Sequence, residues 1–201
     1  MPVPSPANLD QLHAAVRCWM TPTDAAQQAF GALFTAHEVA ANALVSLPGT
    51  MQHELVFVCD GLLRFYYPAA EGKQANKAFI TANTFAGAYA ASALGTPVLY
   101  GVQALEPTRL LAADFAAVRA LYDAHPSLDR FGRRLAEWML MRKEARSRSL
   151  LQRNATERYR QFVADHPDLV QRVPQYHIAS YLGITEVTLS RLRRAMATSA
   201  A

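Results

Sequence analysis

Apolar residues recur along the chain at two different periods, and the switch between them divides it. Near the start, Leu9, Leu12, Val16 and Trp19 fall at three- and four-residue spacing, which predicts a helix. Thr21 and Pro22 then open a second helix running to Phe34. Around Leu47 the texture changes. SLPGT (Ser46–Thr50) is turn chemistry, and ELVFVCDGLLRFYY (Glu54–Tyr67) reads as strand, turn, strand, because Asp60-Gly61 is a strong hairpin signal. PAAEG (Pro68–Gly72) is another turn and KQANKAFI (Lys73–Ile80) another strand. TPVLYGVQALEPTRLLAA (Thr96–Ala113) supplies two more strands, split at Glu106-Pro107. Short strands at this interval predict an antiparallel barrel or jelly roll.

Beyond Ala113 the period is helical to the end. Asp114 caps a short helix through Tyr122, and His125-Pro126-Ser127 breaks it. A long helix follows from Leu128 to about Leu151. Its apolar positions are Leu128, Phe131, Leu135, Trp138, Met139 and Leu140, then Ala145, with Leu150 and Leu151 at the end; they form one stripe, and Leu128, Phe131, Leu135, Trp138 and Met139 on it suit a coiled-coil-like seam between two copies of the chain. The alternative is packing onto its own domain. NATE (Asn154–Glu157) has the form of a capping box and opens a helix to about Asp165; a short helix over Asp168–Arg172 follows His166-Pro167. The fold class expected is α+β. Residues 1–126 would form N-terminal helices and a sensor barrel, 127–153 a linking dimerisation helix, and 154–201 a helical C-terminal domain.

Composition narrows the function. The chain has 201 residues, 51% of them hydrophobic, enough for a real core. No apolar run approaches the ~20 residues that cross a bilayer, so no membrane partner is expected. The opening MPVPSPANLD has neither the basic region nor the apolar block of a secretion signal, which points to the cytoplasm. Cys18 and Cys59 are far apart and read as two free buried thiols. The histidines show no metal-ligand spacing. There is no phosphate-binding loop, nucleophile elbow or dinucleotide glycine cluster, so neither an enzyme, a metal nor a cofactor is expected. An enzyme on a cupin-like barrel would need a His/Glu set that His37, His53 and Glu54 do not form. The net charge of +4 hides an asymmetry: residues 1–126 hold 6 Lys/Arg against 9 Asp/Glu, and residues 127–201 hold 14 against 7. A basic end on a mildly acidic body suggests a polyanion partner.

The C-terminal stretch YHIASYLGITEVTLSRLRR (Tyr176–Arg194) gives that suggestion a form. Pro174 begins a helix carrying Ile178, Ala179 and Leu182 inward, Gly183 takes a left-handed turn, and Thr185 caps a second helix with Leu189 and Leu192 buried. This is a helix-turn-helix. Gln175, Thr185, Glu186, Val187, Thr188, Ser190, Arg191 and Arg194 are the candidate contacts to double-stranded DNA, with the second helix in the major groove. The alternative is a small-molecule-binding or protein-interaction module whose helix-turn-helix does not read DNA.

The order of barrel, GLLRFYY segment, long helix and VPQYHIASYLGITEVTLSRLRR resembles transcription regulators of the Crp/Fnr type, which carry a cyclic-nucleotide-binding-like barrel. FGRRLAE (Phe131–Glu137), ATERYRQF (Ala155–Phe162) and HPDLVQRVPQ (His166–Gln175) support the resemblance, which covers about Phe34 to the end. It implies a homodimer joined along the long helix and binding two half-sites of a palindrome. Cyclic-AMP-binding members resemble Gly-Glu-(Leu/Ala) followed by Arg-(Ser/Thr)-Ala in their phosphate cassette. Here FAGAY (Phe85–Tyr89) puts Ala88 in the glutamate position, and TPVLYG (Thr96–Gly101) puts Val98 in the arginine position, with no cation nearby. No cyclic AMP binding in the usual mode is predicted. An unknown small-molecule effector would have Phe85, Gly87, Tyr89, Leu99 and Tyr100 as candidate lining. Members that read a TGTGA-like site resemble Arg-Glu-Thr where this chain has Glu186, Val187 and Thr188, so a different operator is expected; Arg191 does match an arginine of the pattern.

Overall fold

In the computed structural model, which describes residues 3–51 and 53–199, Asp60-Gly61 is a corner, not the expected hairpin. Strand β3 (Glu54–Asp60) belongs to one sheet and β4 (Leu62–Pro68) to the other. Gly61 sits at φ 100° against Pro107 and Thr108, where a Cβ would lie 2.4 Å from Thr108 Oγ1. Only glycine makes that approach. The remaining strands are β1 (Thr35–Val39), β2 (Leu44–Ser46), β5 (Gln74–Thr81), β6 (Thr84–Gly87), β7 (Gly101–Ala104) and β8 (Thr108–Asp114). They form two antiparallel four-stranded sheets, ordered β1-β8-β3-β6 and β2-β7-β4-β5, which face each other as a jelly roll. Strands β1, β2 and β6 were not expected from the sequence.

Each sheet is buried on both faces at its centre. In β3, Val56 and Val58 point into the barrel with Leu110, Ala112 and Ala86, while Leu55, Phe57 and Cys59 point outward. That is why LVFVC (Leu55–Cys59) is a continuous apolar run and not an alternation. The outward face of the first sheet is covered by α1 (Pro6–Arg17), α2 (Asp24–Gly31), α4 (Phe115–Ala120) and the first half of α5 (Pro126–Gln152). Ser5, Thr23 and Asp114 cap α1, α2 and α4 through their side chains. A further helix, α3 (Tyr89–Leu94), falls in the stretch read as part of a phosphate cassette and ends at Gly95 in the left-handed conformation.

The first part of the stripe on α5 is covered by the chain's own core. Leu128, Phe131 and Leu135 are at most 1% exposed within the chain's own core, and Trp138 and Met139 pack against the same cluster. Phe131 meets Phe30, Phe85 and Trp19 edge-on, at 5.6, 5.2 and 6.5 Å between ring centroids. Helical spacing marks an apolar face without saying what covers it, and here the chain's own aromatics do. The apolar side chains of α5 left exposed are Leu140, Met141, Leu150 and Leu151.

Helices α6 (Ala155–Asp165), α7 (Leu169–Arg172), α8 (Gln175–Leu182) and α9 (Glu186–Ser199) make the C-terminal unit. Asn154 and Glu157 form the expected capping box. This unit packs on the outer face of the second sheet, so Leu62 and Phe79 share one cluster with Phe162, Leu169, Ile178, Leu182 and Leu189. The two cysteines differ, against the expectation that both are buried. Cys18 is exposed just past the end of α1; Cys59 is buried, which pushes its thiol up to about 11.

Phe131→Ala removes the ring on which the N-terminal helices and the first sheet converge. It is expected to cost about 3–5 kcal/mol of stability, measured as the shift of the urea unfolding midpoint.

Candidate nucleic-acid interface and sensor barrel

Gly183 is where the helix-turn-helix turns. It sits at φ 65°, and the Ile184 N–H reaches back to the Ala179 carbonyl at 3.1 Å, a six-residue closure that satisfies the end of α8. A Cβ at Gly183 would meet only Leu150 at 3.5 Å, so backbone conformation and not space demands glycine here. Thr185 Oγ1 accepts from the Thr188 N–H at 3.2 Å and starts α9. Ile178, Ala179, Leu182 and Leu189 are at most 2% exposed. Ala179 lets the two helices cross closely.

This geometry brings the sequence-predicted contacts to one surface. Thr185, Glu186, Val187, Ser190, Arg191 and Arg194 are exposed at the turn and along α9, and Gln175 is exposed at the start of α8. Val187, at 60% exposure, is an apolar side chain held in water at the tip. Thr188 is half-buried, and its hydroxyl meets that of Thr185 at 2.9 Å, so it serves the turn as well as the surface.

The candidate effector lining does not converge. Phe85 points out of the barrel onto Phe57 and Phe131, and Tyr89 packs edge-on to Phe115 at 5.0 Å in the same outer layer. Leu99 is 71% exposed. Of the five, Gly87 and Tyr100 line the barrel interior, together with Ala88 and Val98. The strand alternation at β6 sends Phe85 outward and its neighbour Ala86 inward, and the sequence reading had not followed it. The interior cavity is about 30 Å³. That is roughly the ~30 Å³ one water occupies in the liquid, against ~300 Å³ and more for small-molecule pockets. Tyr100 fills the space by stacking on Phe65 at 5.2 Å. The expectation of no nearby cation also needs correction, because the Lys77 ammonium lies 3.8 Å above the Tyr100 ring. Burial, and Lys143 close by, pull its pKa down to about 8. A lysine between two strand turns gave no sign in the sequence of pointing to an aromatic plug.

A second group of residues, also missed, joins the barrel to the helix-turn-helix. Arg64 on β4 is 5% exposed, yet no carboxylate pairs with it. It donates to Gln103 Oε1 at 2.7 Å, Asn76 Oδ1 at 3.0 Å and Gln74 Oε1 at 2.5 Å. Because Arg64 takes the Asn76 oxygen, the Asn76 amide nitrogen must face α8. It donates to the His177 carbonyl at 2.9 Å and lies 3.1 Å from His177 Nδ1, which is therefore an acceptor on a neutral ring. Ser180 closes the joint, accepting from the Asn76 N–H and donating to the Gln74 carbonyl. Burial, with Arg64 beside it, holds His177 down at about 4. The one hint in the sequence was Arg64 itself, a charge inside a strand that is otherwise apolar.

No family model and no curated protein matches the chain. Solved structures do. The FixK2 protein of Bradyrhizobium japonicum aligns over 83% of this chain and 86% of its own, with a TM-score of 0.74 at 16% identity. The c-di-GMP-responsive global regulator CLP of Xanthomonas campestris aligns over 88% and 92%, with a TM-score of 0.69 at 14% identity. A CooA variant of Carboxydothermus hydrogenoformans covers 84% and 78%, at 0.67 and 18%. The chain thus shares the fold of these structures, the Crp/Fnr-type fold in which a β-barrel is joined to a helix-turn-helix. Among the described residues no helix is long and apolar enough to cross a membrane.

The joint at His177 makes stability pH-dependent. Its folded pKa lies below the unfolded value of 6.5, so the stabilisation is complete above about pH 6.5 and is lost as pH falls towards 4. Between pH 7.5 and pH 5 the expected loss is about 2 kcal/mol, read from urea unfolding at each pH. His177→Asn keeps an acceptor for Asn76 but cannot titrate, and should remove most of that loss.

Proposed function

We propose that this protein is a homodimeric DNA-binding transcription regulator. The single observation behind the reading is the exposed row on α9: hydroxyls and guanidinium groups stand in water on a helix whose opposite face is buried. A Thr-capped N-terminus at a tight turn lets the first turns of such a helix enter the major groove. Arg191 then reaches a guanine edge or a phosphate, and Ser190 and Thr185 reach phosphates. Glu186 and Val187 select a site other than the TGTGA type, since a carboxylate can accept from cytosine N4 and a small apolar group can meet a thymine methyl.

The dimer forms through the part of α5 that its own chain leaves bare. Leu140 and Leu151 are 59% and 85% exposed. Eleven residues make about three turns, so the two share one face. Two copies paired along this face in parallel would present two α9 helices to successive half-sites on one duplex. Leu140→Glu with Leu151→Glu should turn dimer into monomer in sedimentation velocity.

Inside the barrel, an about 30 Å³ cavity with Glu54 as the one charged lining residue among those described supports a sensor domain that does not take cyclic AMP in the usual mode. Cytoplasmic residence follows from the function.

Fluorescence anisotropy with a duplex from the protein's own promoter and a scrambled duplex, at two salt concentrations, tests the reading. Promoter binding should be tighter and weaken steeply with salt. Arg191→Ala should lose about 1–3 kcal/mol of affinity if the arginine reads a base. Equal binding of both duplexes by the wild-type dimer, or none at all, would overturn it.

A further inference from the structure

One cavity belongs neither to the barrel interior nor to α9. It is a cleft of about 490 Å³, walled by the β5–β6 turn, the second half of α5, α6 and the end of α8. Five arginines line it: Arg142, Arg146, Arg148, Arg153 and Arg158. The one carboxylate on its walls, Asp165, accepts from Gln161 at 2.6 Å. His166 adds no charge near neutrality, because burial and Arg142 hold its pKa below the ordinary value. The ion pairs among the described residues all lie elsewhere. Five arginines against Asp165 leave the lining with a net charge of four positives, none of them in an ion pair among the described residues.

The arginines are also posed. Arg142 lies over the Trp138 ring at 4.8 Å and Arg146 over the Tyr181 ring at 3.9 Å. A guanidinium held by its face keeps its in-plane N–H edge for oxygens. Arg158 donates to the carbonyls of Leu182 and Arg153, at 2.8 and 2.6 Å, and Arg153 to Gln161 at 3.1 Å, which fixes two more cations at the cleft floor. Arg148 is exposed and meets no acceptor among the described residues. The other four are half-buried, like charges around one cleft repel, and burial together with Arg158 lowers the pKa of Arg146. An anion relieves that repulsion.

We propose that this cleft binds a small molecule bearing a chain of two or three phosphates. Such a chain supplies three to four negative charges in a volume the cleft can hold, and forked guanidinium edges match phosphate oxygens. Duplex DNA is the poorer occupant, because none of the outward residues of α9 lines the cleft. Bound there, the phosphates tie α5 and the barrel to α6 and α8. Resting on the DNA-binding reading above, the site then sets the orientation in which α9 is presented.

Isothermal titration calorimetry of the full chain with inorganic tripolyphosphate, at about 150 mM salt where exposed charges are largely screened, tests the site without DNA. One ion per chain is expected. Arg148→Gln and Arg142→Gln should each weaken it about tenfold, while Arg133→Gln, on the exposed side of α5 and paired with Glu137, should leave it unchanged. No heat, or equal weakening by all three variants, would mean diffuse screening and overturn the site. So would loss of duplex affinity in Arg148→Gln as large as its loss of tripolyphosphate affinity, since the cleft would then be a DNA contact. Anisotropy of the promoter duplex with and without tripolyphosphate, at matched ionic strength, tests the coupling separately: a change supports it, and no change leaves an anion site but removes its control of α9.

Discussion

Neither sheet of the barrel has a wet face at its centre, and the arrangement of every other element follows from this. A jelly roll of this size could place water on both outer surfaces. Here β3 carries apolar side chains on both sides, and so does the β4–β5 pair through Leu62 and Phe79. The first outer face needs α1, α2, α4 and the start of α5; the second needs the C-terminal unit. The helix-turn-helix is therefore not tethered by a linker alone. Its own core is completed by two side chains of the barrel, and any reorientation of α9 must expose Leu62 and Phe79 or exchange their partners.

The joint at β5 and α8 is where that exchange is specified. Apolar contacts alone tolerate sliding, whereas hydrogen bonds with a single correct pairing do not. Asn76 is held at its oxygen by Arg64 and at its nitrogen by His177, and Ser180 fixes the strand backbone on both sides of it. Burying Arg64 without a carboxylate is costly, offset by three amide oxygens and the Tyr66 ring 4.5 Å away. That cost is reasonable if the joint's role is to define one docking geometry and not to maximise stability. Arg64 thus stands in the barrel but serves the position of α8.

What could be read in the sequence was local chemistry. The capping box at Asn154, the left-handed Gly183 and the Asp114 cap are each decided by residues within a few positions of one another, and each is present. What could not be read was pairing at a distance. Asp60-Gly61 has the residues of a hairpin, yet its strands part because each pairs with a partner far along the chain, β8 for β3 and β7 for β4. The α5 stripe has the spacing of a seam, yet Phe30 and Phe85 reach it first. Strand β1 pairs with β8 across about seventy residues, and an edge strand reading TAHEV (Thr35–Val39) carries little periodic signal of its own. The helix-turn-helix was legible because its turn, cap and buried positions are local; the barrel lining was not, because it depends on which way each strand residue faces.

The basic half of the chain also divides in a way that charge counting conceals. An excess of seven positive charges beyond residue 126 suggested a single polyanion surface. The fold splits it. Arg191 and Arg194 stand on the outer face of α9, while five arginines of α5, its end and α6 line the cleft. Neither Arg191 nor Arg194 lines that cleft. Cations placed for a duplex gain most on a convex, exposed helix, where counterion release is greatest. Cations placed in a recess gain little from a duplex they cannot reach and repel one another until something small and anionic joins them. The separation argues that the two sets answer to different anions, one read along a groove and the other enclosed.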